Sequence, residues 1–427
     1  MIIQQPEFGR RVREIRRARG LPQAELTSET VSTSYVSLVE SGRRTPSVKA
    51  ARAIAERLGL DLEDLGTPPA AEPHPSRMEL IGRLLAARAS QLAGDWERAR
   101  DELQSLIGQM GSDDAAVEAE EVLWEARWEL AVTLGHLDDQ EPRLAVLREL
   151  LAASMTEHAP ALQARVLVEM ARTLRRTGRP SESVSHAEQA ARITRDSSVA
   201  PADHLAALVA LVSAYTESGD WERAESLGDE LLADADDPLP HHARAAALWA
   251  AGGVQRLAGR PVEALDLLNR ADALTGPSGD MTERARLVRA RALTALEAGA
   301  PDTVRSLVEQ SRTLADLLGS PAARALHASL ASLASLHTGD SAQAAGLADG
   351  IDPAAPGLSL LEQAWCAVVR ARTRKATGAS AEDDYRHAAD RYEQAGTYRL
   401  AMEAWRELHA PASKERPAVD PHALIMP

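Results

Sequence analysis

Hydrophobic residues in the first 66 positions recur at helical spacing, with short polar turns between them. Phe8, Val12 and Ile15 follow an i, i+4, i+7 pattern on an Arg-rich segment that ends at Gly20, which predicts a helix with one buried face. A second helix is predicted at Gln23 to about Thr30, with Ala24 and Leu26 or Thr27 inward. A third follows Ser32 with Val36 and Val39 inward, and a fourth follows Pro46-Ser47 with Ala51, Ile54, Ala55 and Leu58 inward. Leu60, Leu62 and Leu65 would complete a small core of five short helices.

The third of these helices has clear end signals and lies in a basic segment. The hydroxyl of Ser32 can accept from the amide of Ser34 or Tyr35, and Gly42 ends the helix. Residues 1–57 hold 11 Arg and Lys against six Glu, a net charge of +5, whereas the whole chain carries −15. Positive charge confined to one end of an acidic chain favours nucleic-acid binding there.

The rest of the chain is periodic. Gly-Asp-Trp-Glu-Arg-Ala occurs at 94–99 and again at 219–224, and the small Ala five residues after the Gly lets two helices approach closely. We therefore expect an all-α solenoid of about eight repeats over residues 78–409, with a capping helix from Tyr398 to His409. The repeat-closing glycines, spaced 39 to 43 residues apart, are Gly94, Gly135, Gly178, Gly219, Gly259, Gly299, Gly339 and Gly378.

Other segments and the composition indicate a linker, a tail, and several classes of protein and site that are not expected here. Residues 67–77 are Pro-rich and predict a linker, and residues 410–427 predict a flexible tail. The single cysteine, Cys366, excludes an intramolecular disulfide. With no signal peptide and no long apolar run, we expect a cytoplasmic protein that does not contact membranes. No Walker loop, GxGxxG, HExxH or paired CxxC occurs, so we expect no enzyme activity, no cofactor and no metal site; His241-His242 reads as a solvated pair.

Residues 8–66 resemble the Xre-type, or lambda-repressor-like, helix-turn-helix family. The resemblance rests on Leu-Pro-Gln-Ala-Glu-Leu at 21–26, Ser-Thr-Ser-Tyr-Val-Ser at 32–37 and Val-Glu-Ser-Gly-Arg-Arg-Thr-Pro-Ser at 39–47. The turn before the third helix lacks the usual Gly, and Leu38 stands where a polar residue is common. The resemblance implies an internal pair of Glu40 with Arg16 and a DNA-binding set: Gln23, Ser32, Arg43 and Arg44 on phosphates, and Thr33, Ser34 and Ser37 facing base edges beside Tyr35.

The repeats resemble the tetratricopeptide repeat, and the whole order resembles the Rap/Npr/Plc/Prg-type quorum-sensing receptors of Gram-positive bacteria. That resemblance implies a right-handed solenoid with a signalling peptide in its groove, and a dimer on an inverted-repeat operator. The family holds peptides with Asn side chains, whereas this chain has only Asn269, so other groups must hold a ligand. Counting back from each glycine places on the concave face Arg88, Glu125, Glu129, Arg165, Arg172, Trp249, Arg256, Arg289, Trp365 and Arg372.

Six of these concave residues are predicted to bind an effector: Arg172, Trp249, Arg256, Arg289, Trp365 and Arg372. An Arg fork suits a carboxylate, and a Trp ring offers a flat apolar surface. The opposing interpretation is that such Arg and Glu residues bridge neighbouring repeats and that the Trp residues are core. We favour a dimeric, sequence-specific transcription regulator whose solenoid binds a peptide, small molecule or protein. The alternative is a scaffold for protein assembly with a secondary DNA-binding head.

Overall fold

The computed structural model describes residues 3, 5–28, 30–62, 65, 76–110, 120–196, 199–235, 239–276, 280–410, 420 and 422. The chain divides into two compact units, Met1–Ile81 and Gly82–Pro427. Over the described residues both are helical, and the extended pairing there is one isolated bridge between Ser28 and Val31. No helix within these ranges is long and apolar enough to cross a membrane. The predicted linker at 67–77 falls almost wholly outside the described residues.

Up to residue 65, the described part of the N-terminal unit forms three α-helices and one short 3-10 helix. They are α1 (Glu7–Ala18), the 3-10 helix (Gln23–Leu26), α2 (Thr33–Glu40) and α3 (Val48–Arg57). Phe8, Val12 and Ile54 form their common core with Val36 and Val39, as predicted. The side chain of Ser32 accepts from the Tyr35 amide at 3.3 Å, which confirms the predicted cap.

Two expectations for this unit were wrong. The second helix ends at Leu26 rather than near Thr30, and Ala24 is exposed. It is short because Thr27 is extended and Ser28 exchanges backbone hydrogen bonds with Val31, which takes the groups that a longer helix needs. The expected fifth helix, near Leu60 to Leu65, is absent from the residues described there, 58–62 and 65, and Gly59 ends α3 with a positive φ of 63°.

The second unit is a repeat-like α-solenoid, hereafter the solenoid. Consecutive helices pack as pairs, and one helix follows the last pair. For the first pair, the contact is shown by hydrogen bonds from Arg83 to Ser105 and from Ser90 to Glu102. The pairs are α4 (Arg77–Leu92) with α5 (Trp96–Met110), α6 (Glu120–His136) with α7 (Gln140–Ala152), α9 (Pro160–Arg176) with α10 (Pro180–Asp196), α11 (Pro201–Ser218) with α12 (Trp221–Ser226) and α13 (Gly228–Ala235), α14 (His241–Leu257) with α15 (Pro261–Thr275), α16 (Met281–Glu297) with α17 (Pro301–Leu318), α18 (Pro321–Thr338) with α19 (Ser341–Ala348), and α20 (Leu360–Ala376) with α21 (Glu382–Gln394). Two more helices lie in the described part of the chain, the short α8 (Ser154–Glu157) and the final α22 (Tyr398–His409).

The repeat-closing glycines behave as predicted with one exception. Seven of the eight have positive φ, between 69° and 87°. Gly135 instead lies inside α6, and Asp138 takes the left-handed conformation at φ 60°. A Cβ on Gly135 would lie 2.9 Å from Cζ of Arg143. This glycine therefore allows a close approach of a guanidinium and does not end the helix.

The last repeat of the solenoid returns to its middle. The Arg399 guanidinium lies 3.6 Å from the centre of the Trp221 ring and donates to the Gly219 carbonyl. At Gly178, an added Cβ would lie 2.8 Å from Cδ1 of Leu360 and 3.1 Å from Cα of Ala395. These contacts join segments far apart in sequence, so the C-terminal helices pack against the middle of the solenoid.

Candidate functional site

Helix α2 presents one polar, exposed face. Ser32, Thr33, Ser34 and Ser37 are exposed, and Leu38 beside them is 37% exposed. The opposite face buries Val36, Val39 and Glu40. Hydroxyl groups on an exposed helix can hydrogen-bond to base edges or phosphates, so this face has the chemistry that reading a major groove needs.

A buried ion pair holds α2 on the face opposite its exposed hydroxyl groups. Arg16 donates to Glu40 through Nε at 2.5 Å and through Nη2 at 2.9 Å, as predicted. Burial acts to raise the pKa of Glu40, but the hydrogen bonds from Arg16 and Gln23 outweigh burial and lower that pKa overall. Arg16 also donates to the Leu21 carbonyl, just before the 3-10 helix, and Gln23 on that helix donates to Glu40. The network therefore joins α1, the 3-10 helix and α2.

The turn after α2 carries two exposed arginines. The backbone amides of Arg43 and Arg44 both donate to the Leu38 carbonyl, at 2.9 and 3.2 Å. Gly42 makes this turn with φ 73°, and a Cβ there would lie 2.8 Å from Cβ of Pro6. The Arg44 guanidinium lies 4.8 Å from the centre of the half-buried Tyr35 ring, which holds the charge beside α2.

Gln23 is placed differently from the other predicted DNA contacts. It is half-buried, and its amide nitrogen donates to Glu40 Oε2 at 2.7 Å. The amide nitrogen therefore serves the internal network. A phosphate contact by Gln23 stays a prediction, as do the contacts predicted for the exposed residues of α2 and the following turn.

The second candidate site is a cavity of about 870 Å³ inside the solenoid. Arg143 and Arg172 share Glu169 on α9, with Arg172 Nη1 at 2.7 Å from Oε1. Other ion pairs on the lining are Arg175 with Glu217 and Arg289 with Glu362. Burial lowers the pKa of Arg286, another lining residue, to about 10.

Several buried side-chain nitrogens on lining residues have no hydrogen-bond partner among the described residues. They include the N–H groups of Arg143 Nε, Arg289 Nε and Trp365 Nε1, and both ring nitrogens of His422. A buried donor without an acceptor is costly, by about 1–3 kcal/mol. This part of the cavity therefore favours a ligand that carries carbonyl or carboxylate oxygens.

The six predicted effector residues separate into three groups. Arg172, Arg289 and Trp365 line the cavity. Trp249 is only 2% exposed and packs in the core, with Arg286 at 5.8 Å from the centre of its ring. Arg256 is buried in an ion pair with Glu297, and Arg372 is half-buried in an ion pair with Glu407. Both lie outside the residues that line the cavity.

Several of the polar residues predicted on the concave face bridge successive repeats. Arg88 pairs with Glu129 as well as Glu125, and Arg165 pairs with Asp203. Arg175 with Glu217 and Arg256 with Glu297 are separated by 42 and 41 residues, which is one repeat length. Sequence reasoning missed the pairs of Arg143 with Glu169 and of Arg175 with Glu217. Only the second has a readable signal, an Arg followed by a Glu one period later, because Arg143 and Glu169 are 26 residues apart.

Two family comparisons agree with this architecture. Residues 7–66 match the helix-turn-helix domain family, and residues 207–240 match the tetratricopeptide repeat. The chain combines a helix-turn-helix domain with tetratricopeptide repeats. The helix-turn-helix and repeat parts are both typical of non-enzymatic regulators. Among curated proteins, no match was found.

Two solved structures match this chain with a TM-score of 0.50, which indicates a shared helical-repeat fold. A Rap protein in complex with the Competence and Sporulation Factor is 14% identical, with a TM-score of 0.50 over 84% of this chain and 91% of that one. The apo quorum sensor NprR from B. thuringiensis is 12% identical, with a TM-score of 0.50 over 78% and 87%. PlcR of Bacillus thuringiensis, bound to the peptide PapR7 and DNA, is 14% identical, with a TM-score of 0.37 over 63% and 94%.

Proposed function

We propose that this protein is a sequence-specific transcription regulator that binds DNA through α2, acts as a homodimer on an inverted-repeat operator, and binds an effector in its solenoid. The observation that carries the DNA-binding role is the exposed face of α2. Thr33, Ser34 and Ser37 lie on it, and Arg43 and Arg44 follow at its end. The pair of Arg16 with Glu40 holds this face in place.

The two groups of residues have different expected effects on DNA affinity. Arg43 and Arg44 neutralise phosphates, so R43A/R44A should weaken binding to all sequences. The slope of log affinity against log salt concentration should fall in magnitude by about 2. Thr33 and Ser34 face bases, so T33A and S34A should change sequence preference, each at a cost of about 1–3 kcal/mol.

The test begins with selection of duplexes from a random pool by the full chain. Fluorescence anisotropy at several salt concentrations then compares the variants with R305A, which removes an Arg that is 81% exposed on α17. R305A should bind as the unchanged chain does. If no sequence is enriched, the proposed function as a transcription regulator is rejected, and the function as a scaffold for protein assembly is favoured.

Homodimerisation follows from the size of the reading element. One helix as short as α2, eight residues, reads few base pairs, so two copies on half-sites about 34 Å or a multiple apart supply the missing specificity. Light scattering of the chain with and without the selected duplex measures this. A single monomer mass in both conditions would contradict it.

Effector binding is proposed for the cavity, with a ligand that presents oxygen acceptors to Arg143, Arg289 and Trp365. The Rap protein named above was solved with a bound factor, which supports the same use of the fold here. Arg172 lines the cavity, whereas Arg165 on the same helix does not. We expect R172A, but not R165A, to reduce the change in DNA affinity caused by a pooled library of short linear peptides. Equal responses from the two variants would argue against this cavity.

A further inference from the structure

Asp420, in the C-terminal segment, lies inside the solenoid, in contrast to the flexible tail predicted for 410–427. Every polar group of this residue has a partner. Its carboxylate accepts from Arg372 Nη1 at 2.6 Å and from Nη2 at 3.0 Å. Its carbonyl accepts from Arg256 at 3.1 Å, and its amide donates to Glu297 at 2.9 Å.

His422 is held beside Asp420. Its side chain is fully buried, with its ring 5.2 Å from that of Tyr392 and its Nε2 at 3.4 Å from Glu407 Oε1. The His422 amide donates to the Asp420 carboxylate at 3.0 Å. The solenoid therefore contacts both the main chain and the side chains of an Asp-x-His segment, which is how proteins recognise a specific peptide.

The surrounding charges are balanced without the segment. Arg256 pairs with Glu297 at 2.7 Å, and Arg372 pairs with Glu407 through two hydrogen bonds of 2.8 and 2.6 Å. Departure of Asp420 would leave no buried arginine without a carboxylate, so the large penalty for an unpaired buried charge would not arise. The site has the properties of a binding site whose occupant can exchange.

The carboxylate of Asp420 is held ionised by its partners. Burial acts to raise the pKa of Asp420, but the charge and hydrogen bonds of Arg372 outweigh burial and lower it. Burial raises the pKa of Glu297, and the guanidinium of Arg256 opposes that shift. A bidentate Arg-carboxylate pair is geometrically selective. An Asp at this position is therefore preferred over an amide or an apolar residue.

We propose that Arg256, Glu297, Arg372, Glu407 and Tyr392 form a binding site for a linear peptide with the pattern Asp-x-His, and that the C-terminal segment of this chain is its resident ligand. A separate peptide with the same pattern displaces the segment. Because His422 also lines the cavity, displacement changes the cavity proposed for the effector. The proposal rests on the proposed function only in that His422 belongs to both sites. Its test uses no DNA, so the peptide site and the regulator function can fail separately.

The test measures binding of a dye-labelled synthetic peptide of residues 414–427 to the full chain by anisotropy. The unchanged chain should bind it weakly, because a tethered segment competes at an effective concentration of about 1 mM. In D420A the tethered segment loses its charge-assisted bonds, so the peptide should bind at least about 10-fold more tightly. D302A, which removes an exposed Asp on α17, is the control and should behave as the unchanged chain does.

A second arm uses the same peptide with its own Asp420→Ala change, which should bind D420A at least about 10-fold less tightly. Circular dichroism and thermal melting establish that D420A is folded, and D420N replaces it if it is not. Equal peptide binding by the unchanged chain and D420A, or binding that ignores the peptide's Asp, overturns the proposal. So does the failure of both variants to fold, since the segment would then be a structural part of the solenoid.

Discussion

Replacing Glu40 by Ala should unfold the N-terminal unit locally, although Glu40 touches no DNA in the proposed arrangement. Its side chain is 3% exposed and that of Arg16 is 11% exposed. Removing one member of such a buried pair costs about 3–5 kcal/mol, because the other charge stays buried without a partner. A domain of about 60 residues has a total free energy of unfolding of about 3–9 kcal/mol, so the change removes about a third of its stability or more.

Hydrogen exchange followed by mass spectrometry measures this in the full chain. Amides in α1 and α2 should exchange at least about 100-fold faster in E40A, and DNA affinity should fall with them. The matched control is E14A, whose partner Arg10 lies 3.9 Å away on an exposed helix face and whose loss should cost under about 0.5 kcal/mol. Unchanged exchange in E40A would refute the role given to the pair.

The same pair has a pH dependence with a defined sign. The folded pKa of Glu40 lies below that of an unfolded glutamate, which is about 4.3. Its contribution to stability is therefore present above about pH 4.3 and is lost as the pH falls through the lower, folded value.

The remaining predictions concern the solenoid. Gly252→Ala should destabilise it by about 1–3 kcal/mol in urea unfolding, because the new Cβ would lie 3.0 Å from Cγ of Leu268. Gly346→Ala, at a helical glycine with open space around it, should instead stabilise by about 0.5–1 kcal/mol, and equal effects would contradict the packing argument. Burial raises the pKa of the Cys366 thiol to about 12, so the native chain should not react with a thiol reagent at pH 8 until urea unfolds it. Rapid labelling in buffer would contradict the burial of this residue.

Much of the local structure is contained in the sequence pattern. Apolar spacing identified the inward faces of α1, α2 and α3, and the Ser32 cap and Gly42 marked the ends of α2. The repeat period located seven turns with left-handed glycines, and Ala99 and Ala224 are buried where helix pairs cross, as expected. These features depend on interactions within one turn or between adjacent helices, so neighbouring residues are enough to specify them.

The local sequence pattern predicted the structure wrongly where contacts outside that pattern decide it. The bridge of Ser28 with Val31 shortened the second helix, and Gly135 accommodates Arg143 rather than a turn. Periodicity placed Trp249 on the concave face but carries no information on what covers it, and the ring lies in the core.

The candidate sites divide in the same way. The exposed face of α2 was predicted as a set, because one short helix and its caps determine it. The environment of Arg256 and Arg372 was decided only by the tertiary structure, since it depends on Asp420, which is 164 residues from Arg256 in sequence. No periodic pattern encodes a contact between the middle of a solenoid and its C-terminal segment, because such a contact arises only when the superhelix returns on itself and encloses its interior.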